Sequence, residues 1–292
     1  KQNMQQKASF YFSNIKNPIW IVCFAMLLQT SNSIFASNNN YPIGSRASAM
    51  GNASSTFENV FSNFHNQAGL AGVSHFGVGI AYKNNFLLSE TGLKSAALAI
   101  PLKSIGVIGI NVSSFGFDQY AENKYGLAFA KKFGDIISMG LQLDYMQTRF
   151  TEPYGSKGVL FGQFGIRGQL TENLALGVHV YNPTRTSLDK TLNDRVPTIL
   201  KSGISYQFND KLVTVFEIEK DLEAKMNVKA GAEYGIHEKF DVRFGINSFQ
   251  RKVSFGAGIN LDNWEVDLAS EYHQTLGFVP NMTIRWQLNR ND

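Results

Sequence analysis

Apolar and polar residues alternate along most of this chain. At Ile137, Met139, Leu141, Leu143 and Tyr145 every second residue is large and apolar, while Ser138, Gly140, Gln142 and Asp144 lie between them. Side chains on a strand point to opposite faces with period two. One face of this strand therefore suits lipid and the other suits water or a polar filling. The pattern recurs over fourteen stretches, approximately 76–84, 92–101, 105–116, 122–133, 136–149, 158–168, 174–182, 198–208, 211–220, 227–236, 239–248, 252–261, 264–272 and 280–288. Most are about as long as the roughly 9–11 residues with which a tilted strand crosses a bilayer.

The joints alternate too. Gly134 with Asp135, Asn209 with Asp210, His237 with Glu238 and Asp262 with Asn263 read as two-residue hairpin turns. Residues 102–104 and 171–173 are nearly as short, and all six joints follow even-numbered strands. Odd-numbered strands lead into longer, mostly polar loops at 85–91, 117–121, 150–157, 183–197, 221–226, 249–251 and 273–279. Outer-membrane barrels place short turns in the periplasm and longer loops outside. The pattern thus predicts an all-β fold: a 14-stranded antiparallel transmembrane β-barrel over 76–292, in the bacterial outer membrane, with both termini periplasmic. A soluble sandwich or propeller also has many strands, but would not readily give strands this long with joints so sorted.

The two faces follow from the parity. Lipid-facing candidates include Leu174, Leu176, Val178 and Val180; Phe240, Val242, Phe244 and Ile246; Phe255, Ala257, Ile259 and Leu261; and Met282, Ile284, Trp286 and Leu288. A charge there would cost roughly 2–4 kcal/mol at the bilayer midplane, and these positions carry none. The opposite parity holds the charges Asp144, Arg167, Lys201, Glu217, Glu219, Lys229, Glu233, Asp241, Arg243, Glu265, Asp267, Glu271 and Arg285. A selective pore is expected to show a ring of one sign. This set is mixed, which fits ion pairs across a filled lumen.

A barrel of fourteen strands is too wide for its own side chains to close. Residues 37–75 are rich in Asn, Ser, Ala and Gly, show no sustained alternation, and form the candidate plug segment. Before them, Lys1, Lys7 and Lys16 precede an apolar run from Ile19 to Leu28, and small residues surround Ala36. This is the pattern of a secretory signal peptide over 1–36. Without those lysines, 24 basic residues face 23 acidic ones, so the basic pI of about 9.0 gives no support to a nucleic-acid partner. The sole cysteine, Cys23, lies in the apolar run. Trp20, Ile21 and Val22 before it do not resemble a lipoprotein signal, and no disulfide can form in the chain that follows.

Within the plug segment, Gly44, Arg46, Met50 and Gly51, followed by Asn66, Ala68, Gly69 and Leu70, resemble the two short elements that precede strand one in the long-chain fatty-acid transporter (FadL) superfamily, especially its PorV/PorQ-like branch in Bacteroidota. Gln67 stands where that branch usually has proline. The resemblance implies a fourteen-stranded barrel with an N-terminal segment folded into it. It implies two kinds of function. Some members pass hydrophobic molecules through lumen and wall; others are fixed subunits of outer-membrane machines such as the type IX secretion system.

The main reading is a non-catalytic subunit or scaffold of such a complex, for secretion or for barrel assembly and export, because the loops are short and 183–197 is polar. Its partners would be outer-membrane lipid and other outer-membrane or periplasmic proteins. The alternative is a transporter of small hydrophobic molecules, with apolar inward residues such as Phe161, Val213 and Val215 lining a path. No spacing links His273, Asp189 and Asp194 into a catalytic set. His179 reads as a lumen filler, His65 and His75 lack metal-ligand spacing, and His237 is a turn residue. The Gly-x-Gly pairs at 77–79 and 256–258 lead into no helix. No cofactor and no metal are expected.

Overall fold

The computed structural model describes residues 42–151, 155–189, 194–249, 251–275 and 277–288. The proposed leader lies outside them, as do the first residues of the candidate plug. Residues 42–73 fold into two short helices, α1 (Ser45–Ala49) and α2 (Ser62–His65), and a 3-10 turn (Gln67–Gly72). Strands follow: β1 (Gly77–Asn84), β2 (Gly92–Leu102), β3 (Gly106–Phe117), β4 (Tyr120–Phe133), β5 (Ile137–Phe150), β6 (Ser156–Thr171) and β7 (Leu174–Tyr181). After a small hairpin of β8 (Ser187–Asp189) and β9 (Asp194–Arg195) come β10 (Ile199–Asn209), β11 (Leu212–Asp221), β12 (Asn227–His237), β13 (Phe240–Asn247), β14 (Lys252–Leu261), β15 (Trp264–His273) and β16 (Gly277–Gln287).

Fourteen strands, all except β8 and β9, form one closed antiparallel barrel, completed where β1 pairs with β16. The predicted fold is the observed one, and the alternation is its cause. On β5, Leu141 is 61% exposed on the outer face while Asp144 is 0% exposed on the inner. Aromatic pairs ring both ends. Trp264 with Trp286 and Tyr206 with Phe208 lie near the tight turns, and Tyr125 with Tyr145 and Tyr272 with Phe278 lie near the loops. Such girdles mark the two interfaces of a membrane barrel. These two ends are called the turn end and the loop end below.

Three joints differ from the expectation. The loop placed at 117–121 is a two-residue turn, because the β3–β4 ladder runs on to Phe117 opposite Tyr120. Gly116 makes this possible: its φ is +108°, and a Cβ there would stand 2.2 Å from the Tyr120 carbonyl oxygen. The last strand starts at Gly277, not 280, since Pro280 sits inside the ladder opposite Ser270 and does not mark its edge. The polar loop at 183–197 contains the β8–β9 hairpin.

A plugged lumen with a polar and an apolar side

Residues 42–73 lie inside the barrel. They touch the inward residues of strands all round it: α1 packs on β13–β16, and the 3-10 turn packs on β3–β6. Gly44, at φ +97°, leads into α1. Met50 and Gly51 press on the glycines of β12 and β13. A Cβ on Gly231 would fall 2.6 Å from Met50, and one on Gly245 would fall 2.0 Å from the Gly51 nitrogen. Asn66 caps the 3-10 turn, its Oδ1 accepting the Ala68 N–H at 3.2 Å. Gln67 takes the first position of that turn, where proline is otherwise favoured, and its side chain donates to Gln163 Oε1 at 3.0 Å. Ala68, Gly69 and Leu70 are buried, and a Cβ on Gly69 would meet the Phe57 carbonyl at 2.0 Å.

Polar contacts tie the plug to β11–β16. The Arg46 guanidinium grips Glu233 through two hydrogen bonds, 2.7 Å from Nε and 2.6 Å from Nη2, and stacks over Phe57 with 4.6 Å from its Cζ to the ring centre. Burial lowers the Arg46 pKa, but Glu233 with Asp267 and Asp241 more than offsets it, and the net shift is upward. Glu233 also takes Arg243 at 2.5 Å. Arg243 continues to Asp267 at 2.6 Å and Asp241 at 3.5 Å, and Arg285 joins Asp267 at 3.3 Å and pairs with Glu265. Glu217 accepts the backbone N–H groups of Ser54 and Ser55 at 3.0 and 2.8 Å, and Lys229 joins it to Glu219 at 3.0 and 2.7 Å. Lys83 and Lys252 hold Glu271 at 2.6 and 3.1 Å. Ser45 donates its N–H to Thr283 Oγ1 at 2.7 Å.

Of the inward charges named from the sequence, Arg167 and Asp144 stand apart from this network. Arg167 on β6 donates to the Thr56 carbonyl at 2.8 Å and pairs with Glu58 at 2.9 Å. Asp144 on β5 accepts from Gln142 at 2.8 Å and Gln163 at 2.6 Å. His179 shares Gln163 with it at 2.9 Å. Lys83, Lys124 and Lys252 also face inward and were not singled out from the sequence, though strand parity alone places Lys83 with Gly77 and Gly79. His273 packs edge-on against Phe86, while Asp189 and Asp194 are opposite each other in the backbone register of the hairpin.

Toward β2–β4 the contact is largely apolar, with the Lys124 ammonium 5.8 Å from the Phe64 ring centre. Ile43, Val60, Phe61, Phe64, Leu70 and Val73 of the plug meet Leu93, Ala97, Ala99, Val107, Ala128 and Ala130 of the wall in one buried cluster. Among the described residues the plug makes one hydrogen bond to these strands, from Asn63 Nδ2 to the Leu98 carbonyl at 3.1 Å. The two sides differ in how they open. Removing one partner of a buried ion pair costs roughly 3–5 kcal/mol. Separating apolar surfaces costs about 25 cal/mol per Å², and an apolar molecule entering the gap restores that amount.

Two cavities flank the plug. At the loop end Ile43, Leu93, Phe115, Met146 and Tyr181, together with the polar Ser113, Glu122, Asn123 and Lys124, line a space of about 20 Å³, room for about one water. Leu188 and Val196, two of the few apolar residues in the polar 183–197 loop, pack beside Phe161, Tyr181 and Met146. At the turn end a cavity of about 520 Å³ has Ala71, Phe76, Leu102, Ile105 and Ala130 on its walls, with His75, Lys103, Lys131 and Lys132 beside them.

No family model matches the chain, and no curated protein matches it. Solved structures do. CymD, a monoaromatic hydrocarbon channel, superposes with a TM-score of 0.65 at 13% identity, over 86% of this chain and 99% of its own. The P. putida toluene transporter TodX gives 0.58 at 12% identity, over 84% and 97%. A Pseudomonas aeruginosa FadL homologue gives 0.57 at 12%, over 84% and 98%. The chain therefore has the fold of the FadL-type barrels.

Proposed function

We propose that the protein is an outer-membrane channel for small hydrophobic molecules. The observation that carries this is the likeness of the whole fold to hydrocarbon channels, over nearly their full length. This reverses the order of the two readings drawn from the sequence: polar loops argued against a ligand platform, yet Leu188 and Val196 give the largest of them an apolar inner face. The apolar outer belt and its aromatic girdles support placement in the outer membrane, with the turn end on the periplasmic side.

The test is uptake of radiolabelled toluene by cells of a poorly permeable host, with and without the full-length protein. Faster initial uptake with the protein is expected, and slower uptake again with Met146→Trp, which fills the loop-end cavity. Equal uptake with and without the protein would overturn the reading.

The filled lumen favours a second reading, a non-catalytic subunit of a larger outer-membrane complex such as type IX secretion. Stoichiometric partners in a mild-detergent purification, together with equal toluene uptake, would support it.

A further inference from the structure

The turn end of the barrel carries an unbalanced charge. Lys103 on the β2–β3 turn and Lys131 and Lys132 at the end of β4 stand on the wall of the turn-end cavity. Among the described residues none of the three makes an ion pair or a side-chain hydrogen bond. Inside the bore, by contrast, Lys83, Arg167, Lys229, Arg243 and Arg285 are each paired with a carboxylate. Asp135, on the β4–β5 turn, pairs with none of the three lysines. Elsewhere the turn lysines Lys211 and Lys239 each follow an acid in the chain, Asp210 and Glu238. We propose that this cavity is the docking site for an acidic segment of a periplasmic protein, whose carboxylates meet the lysines while an apolar side chain enters the cavity. The inference goes beyond the transport reading and takes from it only the periplasmic placement of the turn end.

Three features select this occupant. The first is room: about 520 Å³ falls within the roughly 300–1,000 Å³ of ordinary ligand pockets. Phe76, Leu102 and Ile105 give the cavity apolar walls, and Ile105 is 58% exposed, so an entering side chain has apolar surface to cover. The second is position. Val107 and Ala130 on its wall are buried and face inward, and Ala71 and His75 bound it where the plug leads into β1. Strand parity places Lys132 on the same face as Ala128 and Ala130, over the mouth of the bore. A phospholipid of the surrounding leaflet lies outside the wall, whereas a soluble segment reaches the mouth directly. The third is Pro101. The β1–β2 ladder stops at Gly77 opposite Ala99, so residues 100–102 run on past β1. A proline there has no N–H to offer an added strand, which blunts the edge. Recognition therefore falls to side chains, and unpaired ammonium groups supply its attraction and steer the approach, more weakly as salt is added.

The test places the full-length protein in phosphatidylcholine nanodiscs and titrates it with a fluorescein-labelled peptide of glutamate pairs alternating with leucine, read by anisotropy. The peptide should bind, and its glutamine counterpart should not. Lys103→Gln combined with Lys132→Gln should weaken binding at least tenfold, and Ile105→Ser should weaken it with all three lysines intact. Lys211→Gln combined with Lys239→Gln, on other turns, should leave it unchanged. Heat-modifiable gel migration reports that each variant is a folded barrel. A diazirine analogue of the leucine, photolysed on the unmodified protein, should label residues 100–107, which decides the matter even if a variant fails to fold. No binding by the unmodified protein overturns the proposal, as does an equal loss from the two lysine pairs, which would mean unspecific attraction. Phosphatidylglycerol retained by the unmodified protein in native mass spectrometry and lost from the Lys103 and Lys132 variant, without peptide binding, would assign the lysines to lipid headgroups and overturn it too. Toluene uptake enters none of these outcomes, so the transport reading stands or falls separately.

Discussion

Glu233 is the point where the plug and the wall share one carboxylate: Arg46 reaches it from α1 at 2.6 Å and Arg243 from β13 at 2.5 Å. The two arginines are therefore not equivalent to it in a mutational series. Glu233→Ala strands the Arg46 guanidinium and takes one of three carboxylates from Arg243, and should cost roughly 3–5 kcal/mol. Arg46→Ala leaves the Arg243 pair intact and should cost roughly 1–3 kcal/mol. Urea titrations in detergent would measure the order, and equal losses would contradict it.

Gly245 and Gly162 make a matched pair of glycines on the inner and outer face. Alanine at Gly245 would put a Cβ 2.0 Å from the Gly51 nitrogen, whereas at Gly162 the nearest atom is the Gln142 carbonyl at 3.8 Å. Gly245→Ala should loosen the plug and expose it to protease, and Gly162→Ala should leave it as resistant as before.

His65 is buried in the plug, and burial first, then the nearby Lys201 ammonium, lower its pKa to about 3, with Lys229 adding to this and Glu217 opposing it. A free imidazole sits at roughly 6.5. Between those values the unfolded chain binds a proton that the folded chain refuses, so stability rises with pH there and is lost as pH falls. Going from pH 6.5 to 5 should cost about 2 kcal/mol through this group alone. In His65→Gln that share of the pH dependence should vanish from the melting curves.

Deleting residues 42–73 should convert a silent barrel into one with large, steady conductance in a planar bilayer. Those residues occupy the bore, and fourteen strands enclose more space than inward side chains fill. A barrel that stays silent without them would show that the wall closes the bore itself.

Leu141, mid-strand on β5, is 61% exposed on the outer face. Leu141→Arg should cost roughly 2–4 kcal/mol in lipid, and Tyr145→Arg, in the loop-end girdle, about 0–1 kcal/mol. Refolding into vesicles would measure the difference, and similar costs would misplace the belt.

The barrel was legible because a strand between two unlike media must alternate, and Ile137 to Tyr145 display that with little noise. The charges were legible by parity, but not their pairings. Glu217 faces Lys229 across one ladder step, while Arg46 reaches Glu233 from another part of the chain. The plug has no period because it is enclosed on all sides, so nothing in its sequence separates its ion-paired side from its apolar one. The wall alanines at 97, 99 and 128 are too small to register as a hydrophobic signal. Leu188 and Val196 were masked by the polar residues around them.

The bond from Ser45 to Thr283 joins residues 238 positions apart. It has a consequence for assembly. The helix that begins the plug packs on the last four strands of the chain, and the final strand also completes the cylinder by pairing with the first. Contacts this distant form late. Closure of the ring and locking of its filling thus depend on the same final strand.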